Sequence, residues 1–127
     1  MTHFALYLAV TAIFLAVDAV WLKAVAGPFF RRQVGALMLE EPRLGVAALF
    51  YVGYCAGIVY FAAAPAAGDP GAAFVDGALL GLCAYGAYEA TNLATLKGWT
   101  VGMAALDTVW GALLSGAAAA GAVALVG

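Results

Sequence analysis

The stretch that decides the fold is TVGMAALDTVWGALLSGAAAAGAVALV, residues 100–126. It is an apolar run with one charged residue, Asp107, and a helix of this length crosses the hydrocarbon core of a bilayer. Three similar runs precede it, at about 4–26, 44–64 and 74–96. The sequence therefore predicts an all-α fold, an integral membrane four-helix bundle, in which residues 1–127 form a single transmembrane domain.

The composition supports a membrane protein and excludes other classes. Hydrophobic residues make up 67% of the chain and charged residues only 9%, and the mean hydropathy is +1.04. Soluble domains are nearer half apolar and a quarter charged. The expected partner is the lipid bilayer, and nucleic acid is excluded because the chain has no basic face. Four short helices enclose little volume, so we also expect a homo-oligomer.

The basic residues predict the orientation. Lys23, Arg31, Arg32 and Arg43 flank the first loop and Lys97 lies in the third, whereas the second loop has no basic residue. Cytoplasmic loops carry the excess of Lys and Arg. We therefore expect a bacterial inner-membrane protein with loops one and three in the cytoplasm and both termini in the periplasm.

The first loop, GPFFRRQVGALMLEEPR at 27–43, has its own pattern. Phe30, Val34, Leu37 and Met38 fall at helical spacing between Pro28 and Pro42. This favours a short amphipathic helix at the membrane interface between spans one and two. The alternative is an irregular loop.

Small residues recur four apart in the other spans. The pairs are Gly53 with Gly57, Gly77 with Gly81, and Gly111 with Ser115. Such pairs allow the backbones of two helices to approach closely. They predict tight helix packing and say little about function.

Three acids interrupt the apolar spans at one depth. Asp18, Glu89 and Asp107 each lie about 10–12 Å from the cytoplasmic end of their span, at 1.5 Å per residue. An unpaired charge at such a place costs at least about 2.5–3.5 kcal/mol. The acids therefore need a partner, a proton or a bound cation.

Polar and aromatic residues accompany the acids on the same helix faces. Tyr85, Tyr88, Glu89 and Asn92 follow helical spacing, and Trp110 follows Asp107 by three residues. We predict a ligand-binding cavity in the cytoplasmic half, lined by Asp18, Tyr51, Tyr54, Tyr85, Tyr88, Glu89, Asn92, Asp107 and Trp110. Trp99 is expected only as an aromatic anchor at the interface, and Trp110 is preferred to Trp21 as a lining residue. The alternative is that the polar residues join helices by hydrogen bonds.

These motifs resemble a known family. They are Asp18-x-x-Trp21-Leu22, Phe29-Phe30, Asp107-x-x-Trp110-Gly111, and the stretch YEATNLATLKGW at 88–99, which follows Tyr85. Together they are similar to the small bacterial membrane proteins catalogued as domain of unknown function 2177. The resemblance implies a four-span inner-membrane protein and no activity. The family pattern usually has Asp at the position of Glu89, which keeps the charge and lengthens the arm.

Three functions fit the residues. The first is binding or transport of a small cation, a proton or a cationic molecule, for which carboxylates and aromatic faces are suited. The second is a non-catalytic membrane assembly subunit. The third is an intramembrane enzyme acting on a lipid or isoprenoid, in which two acids act as general acid and base or hold a divalent metal. No motif identifies a cofactor, and we predict no metal site.

Overall fold

The computed structural model describes residues 2–35 and 44–126, and all regular structure in these ranges is helical. The helices are α1 (Thr2–Trp21), α2 (Gly27–Val34), α3 (Leu44–Ile58), α4 (Pro70–Thr95) and α5 (Val101–Val126), with π-helical turns at Leu22–Ala26 and Val59–Ala63. Four stretches are long and apolar enough to cross a membrane: Thr2–Arg32, Gly45–Ala63, Pro70–Thr95 and Val101–Val126. The predicted four-helix membrane bundle is confirmed.

The short helix predicted between Pro28 and Pro42 is described in part, as α2. It does not stand apart from the first span, because the stretch long and apolar enough to cross a membrane runs from Thr2 to Arg32. Helix α2 continues α1 through a π-helical turn, in which the Gly27 N–H donates to the Leu22 carbonyl five residues earlier. A Cβ on Gly27 would lie 2.6 Å from that carbonyl oxygen, so only glycine fits this turn. Pro28 lies in the first turn of α2, as predicted. Leu37, Met38 and Pro42 lie outside the described residues.

Capping residues set the bounds of α4 and α5. The Asp69 side chain accepts a hydrogen bond from the Ala72 N–H at 3.1 Å, and Pro70 occupies the first turn. The third span therefore starts at Pro70, ahead of the start predicted near position 74, because this cap is stronger than the loop signal of Pro70 and Gly71. At the start of α5, Thr100 Oγ1 accepts from the Met103 N–H at 3.1 Å.

The closest helix pair is α4 with α5. A Cβ on Gly77 would lie 2.7 Å from the Ser115 carbonyl oxygen, and one on Gly81 would collide with the Gly111 carbonyl. The predicted close approach is therefore confirmed for Gly77 with Gly81 and for Gly111 with Ser115. It is wrong for Gly53 and Gly57, because a Cβ on either would meet no described atom within 4 Å.

Helix α3 packs on the bundle only after its first two turns. None of the described side chains from Gly45 to Phe50 is buried, whereas Cys55 and Ile58 are fully buried. These two join Val10, Phe14 and Ala118 in the hydrophobic core. The π-helical turn after α3 packs against α4, while α3 itself packs mainly against α1. The first turns of α3 therefore stand away from α4, and this gap holds the candidate site.

Candidate ligand-binding site

A cavity of about 460 Å³ lies at the end of the bundle that carries α2. All five helices and the turn after α1 contribute to its wall. The lining residues are Asp18, Leu22, Phe30, Val46, Ala47, Phe50, Tyr51, Ala84, Tyr85, Tyr88 and Asp107. Five of the nine residues predicted for the site therefore line one cavity: Asp18, Tyr51, Tyr85, Tyr88 and Asp107.

Asp18 is buried and joins three helices. Its Oδ2 accepts a hydrogen bond from the Tyr51 hydroxyl of α3 at 2.9 Å. Its Oδ1 accepts one from Trp110 Nε1 of α5 at 3.0 Å. The sequence placed these groups at one level, and the structure brings them into contact. Asp18 is thus held in one orientation at the wall of the cavity.

The two tryptophans that follow the acids stack on each other behind Asp18. The rings of Trp21 and Trp110 are 4.2 Å apart and inclined by 7°. Neither is among the residues lining the cavity. Trp110 therefore acts on the cavity through its hydrogen bond to Asp18. The Nε1 of Trp21 is buried and has no hydrogen-bond partner among the described residues.

Glu89 lies behind Asp107 and is almost fully buried, with 1% of its surface exposed. Its Oε1 accepts a hydrogen bond from Trp99 Nε1 at 2.8 Å. Its Oε2 receives no hydrogen bond from the described part of the chain, and Asp107 is the neighbouring acidic group. Asp107 thus lies between Glu89 and the cavity.

The expectation that Trp99 is only an interfacial anchor is wrong. The turn before α5 brings its ring back onto α4, where it donates to Glu89 and lies 6.0 Å from the ring of Phe30. The positive φ of Gly98, 81°, shapes this turn. The sequence signal was available, since the glycine directly precedes Trp99 and marks a reversal of the chain.

Four of the nine predicted residues are not part of the cavity wall: Glu89 and Trp110, described above, and Tyr54 and Asn92. Tyr54 shares a hydrogen bond of 2.6 Å with Ser115 Oγ on α5, and its ring stacks on Phe50 at 5.3 Å. Asn92 is half-buried, and its Nδ2 has no hydrogen-bond partner in the described residues. Tyr54 therefore closes the deep end of the cavity from behind Phe50, and Asn92 lies apart from the cavity wall.

Sequence reasoning missed the apolar part of the wall. Leu22, Phe30, Val46, Ala47, Phe50 and Ala84 carry no polar signal, yet they lie beside the acids and tyrosines. Helical spacing could have identified several of them, because Ala47 precedes Tyr51 by four residues and Ala84 precedes Tyr88 by four.

The carboxylates have neutral partners. Each hydrogen bond that Asp18 and Glu89 accept from the described residues comes from a tyrosine or tryptophan. Lys23, Arg31, Arg32 and Lys97 are all exposed. In residues 2–35 and 44–126 no three His, Cys, Asp or Glu side chains are grouped to hold a metal ion. The three acids therefore form a row from Asp18 through Asp107 to Glu89, and not a compact metal cluster.

The comparisons with known proteins identify a family. The model of the family described as Predicted membrane protein (DUF2177) matches residues 3–124. Neither a curated protein nor a solved structure matches the chain. The description of the family names a membrane location and no activity.

Proposed function

We propose that this chain, which belongs to the DUF2177 family of predicted membrane proteins, binds a small cationic molecule inside the membrane. It would act as a binding or transport protein of the bacterial inner membrane. The proposal rests on the geometry of the cavity. Asp18 and Asp107 provide the negative charge. Tyr51, Tyr85 and Tyr88 provide ring faces and hydroxyl groups. The observation that carries the proposal is that two acids on different helices line one aromatic cavity.

The size of the cavity favours a molecule over a bare ion. Pockets for small organic ligands range from about 300 to 1,000 Å³, and this cavity of about 460 Å³ falls within that range. A bare ion would need carboxylates and carbonyls close around it. The carboxylates here lie in a row, and most of the wall is apolar or aromatic.

The charges favour a cation. Neutral hydrogen-bond donors orient Asp18 and Glu89 but do not cancel a negative charge. In a low dielectric an uncompensated carboxylate is costly, and a bound cation removes much of that cost. Aromatic faces add a further attraction of about 0.5–2 kcal/mol each when they are desolvated.

The three acids then have different roles. Asp107 is the principal ligand for the cation, because it lines the cavity and none of the tyrosines and tryptophans that donate to the other two acids donates to it. Asp18 adds a fixed charge from the other side. Glu89 lies behind Asp107, and two neighbouring carboxyl groups can hold one proton between them. Binding of a cation can release that proton, which would couple cation movement to proton movement.

A binding experiment tests the proposal. N-decylpyridinium is a cation that quenches tryptophan fluorescence, and the three tryptophans all lie at this end of the bundle. We expect it to quench the wild-type protein in lipid nanodiscs, and Asp107→Asn to weaken its affinity at least about tenfold, or about 1.4 kcal/mol. Decylbenzene, the neutral analogue, should not compete.

The matched control is Asp76→Asn. It removes the same charge from an exposed position near the other end of α4. It should leave the affinity unchanged. Equal affinities of wild type and Asp107→Asn, or equal losses in both variants, would refute the proposal. Transport is tested in proteoliposomes, where the cation should drive a proton flux that is absent with Asp107→Asn.

One observation favours a second candidate function, that of a non-catalytic assembly subunit. The hydrogen bonds that Asp18 accepts join α1 to α3 and α5, and the one that Glu89 accepts joins α4 to the segment before α5. Such bonds hold helices together without any ligand. On this alternative, Asp18→Asn or Glu89→Gln changes stability or oligomeric state and no cation binds to the wild type.

A further inference from the structure

We propose that the ligand enters the cavity sideways from the bilayer, between the first turns of α3 and the second half of α4. This rests on the proposed function and specifies its ligand: an amphipathic cation whose apolar body partitions into the membrane. A hydrophilic cation of the same charge is a poor ligand.

The mouth of the cavity lies on the side of the bundle. Four of its lining residues are also among the exposed hydrophobic residues of the surface: Leu22 at 48%, in the turn after α1, Val46 at 67%, Phe50 at 50% and Tyr88 at 58% exposure. Val46 and Phe50 lie on α3, and Tyr88 lies on α4. In a helix bundle that spans a bilayer, this surface faces lipid.

The gap follows from the packing of α3. Its first two turns have no buried side chain among the described residues, and α3 packs mainly against α1. Contact between α3 and α4 begins further along, where the rings of Tyr54 and Tyr85 meet at 6.0 Å. The opening is thus wide at the α2 end and closes at the level of these tyrosines.

Aromatic residues close the other directions. At the α2 end, Phe30 lines the cavity and meets the ring of Trp99 edge-on at 6.0 Å. At the deep end, Phe14 packs against both Tyr51 and Tyr54 at 5.6 Å. The stacked pair of Trp21 and Trp110 lies behind Asp18. A ligand that approaches through the lipid therefore meets the least obstruction.

The wall defines the chemistry of the ligand. Asp18 and Asp107 attract a cationic head group, whereas Leu22, Val46 and Phe50 at the mouth suit an alkyl or aromatic body. An amphipathic cation concentrates in the bilayer, with its charge near the interface and its apolar part among the chains.

The test measures association rates in nanodiscs by tryptophan quenching. N-decylpyridinium and N-methylpyridinium carry the same cationic head, and only the first partitions into lipid. Val46→Phe and Ala84→Leu narrow the mouth and should slow association of N-decylpyridinium at least about fivefold, with dissociation slowed in step. Val46 is largely exposed, so the larger side chain should not prevent folding. Circular dichroism and the unfolding midpoint verify this.

Leu49→Phe is the matched control, because Leu49 is 76% exposed on the same helix but does not line the cavity. N-decylpyridinium should associate with this variant at the wild-type rate. Wild-type rates in Val46→Phe and Ala84→Leu, or equal affinities for the two pyridinium ions, would overturn lateral entry.

The lipid composition separates two sources of the same chemistry. If the occupant is an amine-bearing lipid head group, phosphatidylethanolamine competes for the cavity, and N-decylpyridinium binds more weakly in nanodiscs of that lipid than in phosphatidylglycerol nanodiscs. If the ligand is a free amphipathic cation, the affinities in the two kinds of nanodisc agree after correction for partition into lipid. Both results support lateral entry. Failure of the proposed function looks different, since N-decylpyridinium would then show no binding that depends on Asp107.

Discussion

In the proposed function, the buried residue Asp18 combines a structural role with a binding role. Its two oxygens accept hydrogen bonds from α3 and α5, while its carboxylate lines the cavity. The donors are neutral, so they fix the position of the charge without cancelling it. A bound cation would meet a carboxylate that needs no reorganisation. The same bonds also make Asp18 a structural link between helices.

The structural part of this role can be measured at Tyr51. Tyr51→Phe removes the hydroxyl that donates to Asp18 Oδ2 and keeps the ring that packs against Phe14. Interhelical hydrogen bonds in membrane proteins contribute about 0.6 kcal/mol on average and about 1.7 at most. We expect the free energy of unfolding to fall by about that range, measured by SDS titration in mixed micelles.

Tyr60→Phe serves as the control for that measurement. Tyr60 is 73% exposed, and its ring likewise packs against a phenylalanine, Phe61. The substitution removes the same hydroxyl from a site that does not join helices, so stability should be unchanged. A Tyr51→Phe protein as stable as Tyr60→Phe would show that the bond to Asp18 contributes nothing.

At the scale of the helices, α4 and α5 form the rigid part of the molecule. Gly77 and Gly81 bring α4 against the backbone of α5, and Phe74 and Tyr85 cover Gly116 and Gly111. This contact fixes Tyr85, Tyr88 and Glu89 relative to Asp107. Helix α3 has no comparable backbone contact with α4 among the described residues, so the cavity lies between a fixed wall and a loosely packed one.

The contact at Gly81 gives a prediction for helix packing. In Gly81→Ala the added methyl group would collide with the Gly111 carbonyl and lie 2.7 Å from Ser115 Oγ. The backbone of α5 cannot turn aside as a side chain can, so the helices must separate. Overpacking of this kind costs about 1–3 kcal/mol, which unfolding in SDS would detect.

Gly57→Ala provides the comparison, since a Cβ there meets no described atom within 4 Å. Alanine also has the higher helix propensity, so this variant should be as stable as the wild type or slightly more stable. If Gly81→Ala unfolds at the same SDS fraction as Gly57→Ala, the close contact of α4 and α5 is incorrect.

The helices and the polar residues of the site could be predicted from the sequence, and helical spacing indicates some of the apolar wall, such as Ala47 and Ala84. The arrangement of these residues around the cavity could not be predicted. Length and hydropathy define four spans, and counting residues places Asp18, Glu89 and Asp107 at one level. Which of them reaches the cavity depends on helix rotation and on the divergence of α3. Both arise from tertiary contacts, such as the stacking of Trp21 on Trp110 and the hydrogen bond between Tyr54 and Ser115, that no spacing within one helix specifies.

At the scale of the whole molecule, the cavity and the basic residues lie at the same end. Arg31 and Arg32 are on α2, Lys97 lies in the turn before α5, and Phe30 and Asp107 line the cavity beside them. The positive-inside rule predicts that this end lies in the cytoplasm. The mouth between α3 and α4 would then open into the inner leaflet, so the protein would take its ligand from the cytoplasmic half of the bilayer.

Topology reporters test this orientation. Alkaline phosphatase is active only outside the cytoplasm. Green fluorescent protein fluoresces in the cytoplasm but not after export by the general secretion route. Fused after Gly127, the phosphatase should be active and the fluorescent protein dark, because four spans return the chain to the side of its N-terminus. When the reporters are fused after Lys97 instead, the phosphatase should be inactive and the fluorescent protein bright. A fluorescent C-terminal fusion would place the cavity in the periplasmic half and its mouth in the outer leaflet. Cation binding in intact spheroplasts distinguishes the same two orientations. Cation added outside reaches a periplasmic-half cavity directly, whereas it must first cross the bilayer to reach a cavity in the cytoplasmic half.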